Sequence, residues 1–146
     1  MKKFKAKHSW DKDLGVYNIT LHTDMGDCHG KAVMHEDDAE HKSEYFGGRI
    51  AEMRALVVYF KRRAEHERTE ANALMKYLRS MHGTRTFKSW DFWVNQLEKE
   101  IGRKFLKAEE WKIKADDMKK NIAEAIVARD AMFEAVKDAR LSPEDK

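Results

Sequence analysis

Two periods of hydrophobic spacing divide this chain. Over the first third, apolar residues alternate with polar ones: Phe4 and Ala6 stand between lysines, and Val16, Tyr17, Ile19 and Leu21 interleave with Asn18, Thr20 and His22. A period of two, rich in β-branched and aromatic residues, predicts strands. Asp11 to Gly15 and the stretch Asp24-Met25-Gly26-Asp27 carry turn chemistry, and a third strand is predicted from Cys28 to Met34. Residues 1–35 therefore read as a small antiparallel β-meander with one apolar face, which a helix or another subunit has to cover.

From Ser43 the spacing changes to threes and fours. Phe46, Ile50, Met53, Val57, Phe60, Ala64, Ala71, Leu74, Leu78 and Met81 form a heptad seam interrupted only at Glu67. The seam predicts a helix over 43–81, roughly 57 Å long at about 1.5 Å per residue. Gly47 and Gly48 fall in its first turns, where each costs about 1 kcal/mol relative to alanine; they either permit close packing on the sheet or mark a later helix start.

The segment His82-Gly83-Thr84-Arg85-Thr86 breaks the pattern, with Gly83 suited to end one helix and Ser89 to cap the next. A second helix is predicted over 89–140. Its stripe runs through Val94, Leu97, Ile101, Phe105, Ala108, Trp111, Ala115, Met118, Ile122, Ala125, Met132, Val136 and Ala139, and Pro143 stands just beyond its end. This helix outreaches its antiparallel partner by more than three turns on the usual rise, so the surplus stripe calls for a second copy of the chain. The fold class is α+β: one domain over 1–146, a meander followed by two long antiparallel amphipathic helices, joined into a helix-mediated homo-oligomer.

Composition refines this picture without naming a partner. The chain has 146 residues, 42% apolar and 38% charged, too apolar for a disordered segment and charged enough for long amphipathic helices. Twenty-nine basic residues against 26 acidic ones give a net charge of +3, far from the basic stripe of a nucleic-acid binder, so nucleic acid is not the expected partner. The single cysteine, Cys28, rules out an intramolecular disulfide and fits a reducing compartment. MKKFKAKHSW lacks the apolar core of a signal peptide, and no run approaches the roughly 18 apolar residues of a membrane span. A cytoplasmic location without membrane insertion is expected.

Candidate chemistry is sparse. His22, His29, His35 and His41 with Asp37 and Asp38 are dense, but their spacings fit no zinc pattern, and solvated loop histidines account for them. No nucleophile elbow, glycine-rich phosphate loop or activated nucleophile is present, so neither catalysis nor a cofactor is expected. Most carboxylates stand three or four residues from a lysine or arginine on a helix face, which is ordinary solvated pairing. Lys61-Arg62-Arg63 with Arg68 could touch phosphate, yet Glu65, Glu67 and Glu70 stand among them, as on a solvated face.

One segment stands out. Phe87, Trp90, Phe92 and Trp93 crowd the start of the second helix, and four aromatics within seven residues cannot all face one seam. Some are core or subunit contacts, or else they stack on a ligand. Aromatic faces beside Arg79, Arg85, Lys88 and Arg103, with the amides of Asn95 and Gln96, supply what a nucleotide requires: stacking for the base, donors for the phosphates, amides for the base edge. The candidate nucleotide-binding residues are thus Arg79, Arg85, Phe87, Lys88, Trp90, Asn95, Gln96 and Arg103, with no metal ligand and no catalytic residue.

The stretch Gly30-Lys31-Ala32, His35, Asp38, Ser43, Gly47, Ile50-Ala51-Glu52 and Arg54-Ala55, followed by Leu78 to Met81, Phe87, Ser89 and an aromatic, resembles the phage anti-Thoeris sponge family, over residues 16–140. The chain departs from that pattern at Glu36, where a proline usually follows the histidine, and in the extra aromatics around Phe87. The resemblance implies a non-catalytic sponge that sequesters cyclic ADP-ribose isomers made by TIR-domain enzymes. It also implies helix-mediated dimers or hexamers, some of which hold cyclic dinucleotides in separate pockets. By similarity, Phe87 would stack on the nucleotide and Asn95 would hydrogen-bond it. The alternative is a helical protein- or nucleic-acid-interaction module of a phage.

Overall fold

The computed structural model describes residues 3–34, 44–81 and 90–140. Three strands, β1 (Lys5–Asp11), β2 (Val16–Thr23) and β3 (Gly26–Val33), precede two helices, α1 (Glu44–Met81) and α2 (Trp90–Arg140). The sheet is antiparallel in the order β1-β2-β3. Expected segments His35, Asp37, Asp38, His41 and the turn from His82 to Ser89 lie outside the described residues, as does Pro143. The chain divides into two compact units, Met1–Tyr59 with Asp116–Lys146, and Phe60–Ala115.

In the first unit, the alternation of β2 sends Tyr17, Ile19 and Leu21 to one face, opposite Ala32, Gly30 and Cys28 of β3. All six are buried. The other face carries Lys7, Thr20 and His29 in one cross-strand row and Ser9, Asn18 and Lys31 in the next, so the sheet is half-wetted as a meander should be. Gly15 and Gly26, at φ 65° and 87°, adopt the left-handed backbone that the two predicted turns require. Gly15 also accepts a 3.0 Å bond from the Met34 amide.

The cover for the apolar face is α1. A Cβ on Gly30 would fall 1.8 Å from the Ala51 carbonyl oxygen and 2.7 Å from the Ala55 nitrogen, so strand and helix meet backbone to backbone there. Gly47 and Gly48 lie inside α1, where added Cβ atoms would meet Tyr17 at 3.3 and 3.2 Å. Of the two expectations for this glycine pair, close packing is the correct one. Arg54 donates to the Lys31 carbonyl at 2.7 Å, tying helix to edge strand. The predicted seam is also buried at Ile50, Met53 and Val57, so this part of α1 is apolar on two sides, Ala51, Ala55 and Tyr59 marking the second. On α2 the buried residue near the end is Phe133, not the predicted Met132, which is exposed. A strict heptad slips by about 20° per repeat on a helix of 3.6 residues per turn, and by this point the seam has passed to the next residue.

In the second unit, α1 and α2 pack antiparallel. Phe60 stacks on Trp111 with ring centroids 5.8 Å apart, and Ala64, Ala71, Ile101, Ala108 and Ala115 are buried. Trp111 also receives the Arg63 guanidinium at 5.2 Å and the Lys114 ammonium at 4.3 Å from its ring centroid. Glu67, the break in the predicted seam, is buried, with the Arg63 guanidinium at 3.6 Å and the Lys104 ammonium at 3.9 Å. The predicted stripe residue Phe105 is exposed, as are Leu106 and Ile113. Among the described residues no helix is long and apolar enough to cross a membrane.

Candidate ligand cavity at the helix ends

Near the end of α1 and the start of α2 lies a cavity of about 470 Å³, lined among the described residues by Tyr77, Met81, Trp93, Gln96, Leu97 and Glu100. The volume is within the range of small-ligand sites. Helical spacing explains the grouping. Tyr77 and Met81 are four apart on α1, and Trp93, Gln96, Leu97 and Glu100 step by three, one and three on α2, so each set lies along one face. Tyr77 and Trp93 remain 58% and 54% exposed, which leaves their ring faces open to a ligand. Phe92 meets Trp93 edge to face at 5.7 Å and 77°, which helps fix the indole.

Among the described lining residues, hydrogen-bonding groups besides the Tyr77 hydroxyl and the Trp93 indole N–H come from two side chains. Gln96 offers an amide and Glu100 a carboxylate, the two one turn apart. Glu100 Oε2 accepts from Arg103 at 3.1 Å, so a cation stands at the side of the cavity. Arg79 is exposed in the last turn of α1, two residues beyond Tyr77.

Of the residues expected from sequence, Gln96 lines the cavity, Arg103 reaches it through Glu100, and Arg79 stands exposed on the same stretch of α1. Asn95 is exposed on α2 but is not part of the lining. Trp90 begins α2, and Arg85, Phe87 and Lys88 lie outside the described residues. Tyr77, Met81, Leu97 and Glu100 were not in the expected set. Met81 and Leu97 carry a seam signal that reads as core, while Tyr77 and Glu100 become legible only once the two helices are paired in register.

A second cavity, of about 600 Å³, lies in the other unit, where Phe46, Arg49 and Met53 of α1 and Met118, Asn121 and Ala125 of α2 contribute to its walls. Glu52 and Glu124 also line it, and among the described residues no tryptophan does. Of the four histidines considered as metal ligands, His22 bonds Asp27 and His29 bonds Thr20, each at 2.8 Å, and His35 and His41 lie outside the described residues. Among the described residues, no group of three or more histidines, cysteines or carboxylates is arranged to hold a metal. The chain matches no family model, no curated protein and no solved structure.

Proposed function

We propose that this protein is a non-catalytic sponge that binds and sequesters cyclic ADP-ribose type signals made by TIR-domain enzymes, blocking a bacterial anti-phage defence in the host cytoplasm. The observation that carries this reading is the cavity where Tyr77 and Trp93 bring half-exposed rings beside the Gln96 amide, with Arg103 paired to the lining Glu100. A base would stack on the rings while its phosphates stay outside, within reach of the Arg103 guanidinium. The resemblance of the sequence to the anti-Thoeris sponge family supports the same ligand class.

Sequestration also fits a homo-oligomer, a dimer or hexamer. Leu106, Ile113 and Val127 are exposed at intervals of seven and fourteen residues, a stripe on α2 distinct from the buried Ile101, Ala108 and Ala115. That stripe equally favours the second reading, a helical interaction module holding another protein, in which case the aromatic cavity would bind no nucleotide.

Calorimetric titration of the full chain with a cyclic ADP-ribose isomer tests the proposal. Trp93→Ala is expected to weaken binding by about fivefold to about a hundredfold, since base–aromatic stacking contributes about 1–3 kcal/mol per base. Mass spectrometry should return the ligand unchanged. Binding that ignores Trp93→Ala would move the site elsewhere, and a chemically altered ligand would make the protein an enzyme.

A further inference from the structure

We infer that Glu100 reads the exocyclic amine of an adenine held in the helix-end cavity, so that the site selects 6-aminopurine ligands over their 6-oxo counterparts. This rests on the nucleotide reading above and adds to it the identity of the discriminating residue. Among the described lining residues Met81 and Leu97 are apolar, and Tyr77 and Trp93 each bring one polar atom, a hydroxyl and an indole N–H, on a ring that a base could stack on. The groups able to pair with two adjacent atoms of a base edge are then Gln96 and Glu100, four residues apart on one face of α2.

Their chemistries are complementary to one edge. An ionised carboxylate only accepts, whereas an amide both donates and accepts. The N6–N7 edge of adenine presents an amine donor beside an acceptor, which matches a carboxylate beside an amide N–H. On hypoxanthine the same edge carries O6 and N7, two acceptors, and O6 would face the Glu100 carboxylate with no proton between them. The carboxylate is held at the cavity wall, because its Oε2 takes the Arg103 guanidinium at 3.1 Å. Glu100 is 42% exposed in the free protein, and a base stacked in the cavity would cover it; a polar group then left against a mismatched edge discriminates more strongly than a change in apolar shape.

The test is a matched pair, a cyclic ADP-ribose isomer and its deaminated hypoxanthine counterpart, titrated by calorimetry into the full wild-type chain and into Glu100→Gln. The wild type is expected to prefer the 6-amino ligand by at least about tenfold, the scale of one lost hydrogen bond to a charged group. Glu100→Gln, whose amide can donate to O6, is expected to bring the two affinities to within about twofold. Equal binding of the pair by the wild type, or an unchanged preference in Glu100→Gln, would overturn the inference while leaving the nucleotide reading intact. Failure of both ligands to bind the wild type would overturn the nucleotide reading, and this inference with it.

Discussion

Two glycines of the same chain occupy opposite circumstances. Gly30 is buried at a point where strand and helix backbones touch, and an added methyl would fall 1.8 Å from a carbonyl oxygen. Backbone cannot yield as a flexible side chain can, so Gly30→Ala is expected to cost at least about 2 kcal/mol through forced separation of β3 from α1. Gly102 is exposed within α2, and nothing lies within 4 Å of the site a Cβ would take. Gly102→Ala should instead stabilise by about 1 kcal/mol, the helix-propensity difference. Urea denaturation midpoints of the two variants, moving in opposite directions, check both assignments. The sequence distinguishes these residues only in part. Gly102 lies off the stripe inside the predicted second helix, where a glycine is a propensity cost, whereas Gly30 lies in an alternating strand and its role depends on which helix residues cross over it.

At the level of elements, alternation and heptad spacing made the meander and both helices legible to within a residue or two of their ends, because each period follows from which face must be dry. What a single period cannot reveal is a helix apolar on two sides. Ala51, Ala55 and Tyr59 look like gaps in the α1 seam until the sheet is laid on them. Glu67 likewise reads as an interruption, yet it is buried where the helices pair, beside Arg63 and Lys104. Lys104 also donates to Glu70, which has His66 at 2.9 Å on its other side.

The Lys104 hydrogen bond holds the Glu70 carboxyl below its ordinary value of 4.5, and the same bond holds the Lys104 ammonium above 10.5. For Glu70 the folded value lies below the unfolded one, so its contribution to stability is present above pH 4.5 and is lost as the pH falls through the folded value. For Lys104 the folded value lies above the unfolded one. Its contribution is full below pH 10.5 and disappears as the pH rises through the folded value. Thermal unfolding followed against pH should therefore show losses at both extremes, and Glu70→Gln should flatten the acid limb. An acid limb unchanged in Glu70→Gln would remove the pair from the account of how the helices are held.

For the whole molecule, the exposed Leu106 and Ile113 are the face through which self-association is proposed. Replacing both by lysine is expected to reduce the sedimentation mass toward that of one chain while leaving helicity intact. A wild-type protein that already sediments as a monomer would contradict self-association through this face. The candidate cavity is legible from sequence as a region and not as a constellation. The aromatic crowding near residue 90 and the Gln96 amide mark the end of α2 where the cavity lies, but the facing wall comes from Tyr77, more than a dozen residues earlier, and only pairing of the helices brings it into view.

The central claim is capture without turnover, and equilibrium dialysis addresses it most directly. Purified protein on one side of a membrane, with a cyclic ADP-ribose isomer supplied below the concentration of binding sites, should retain nearly all of the ligand, and heating should release it with its mass unchanged. Equal ligand concentrations on both sides, or release of a product of different mass, would contradict the sponge account.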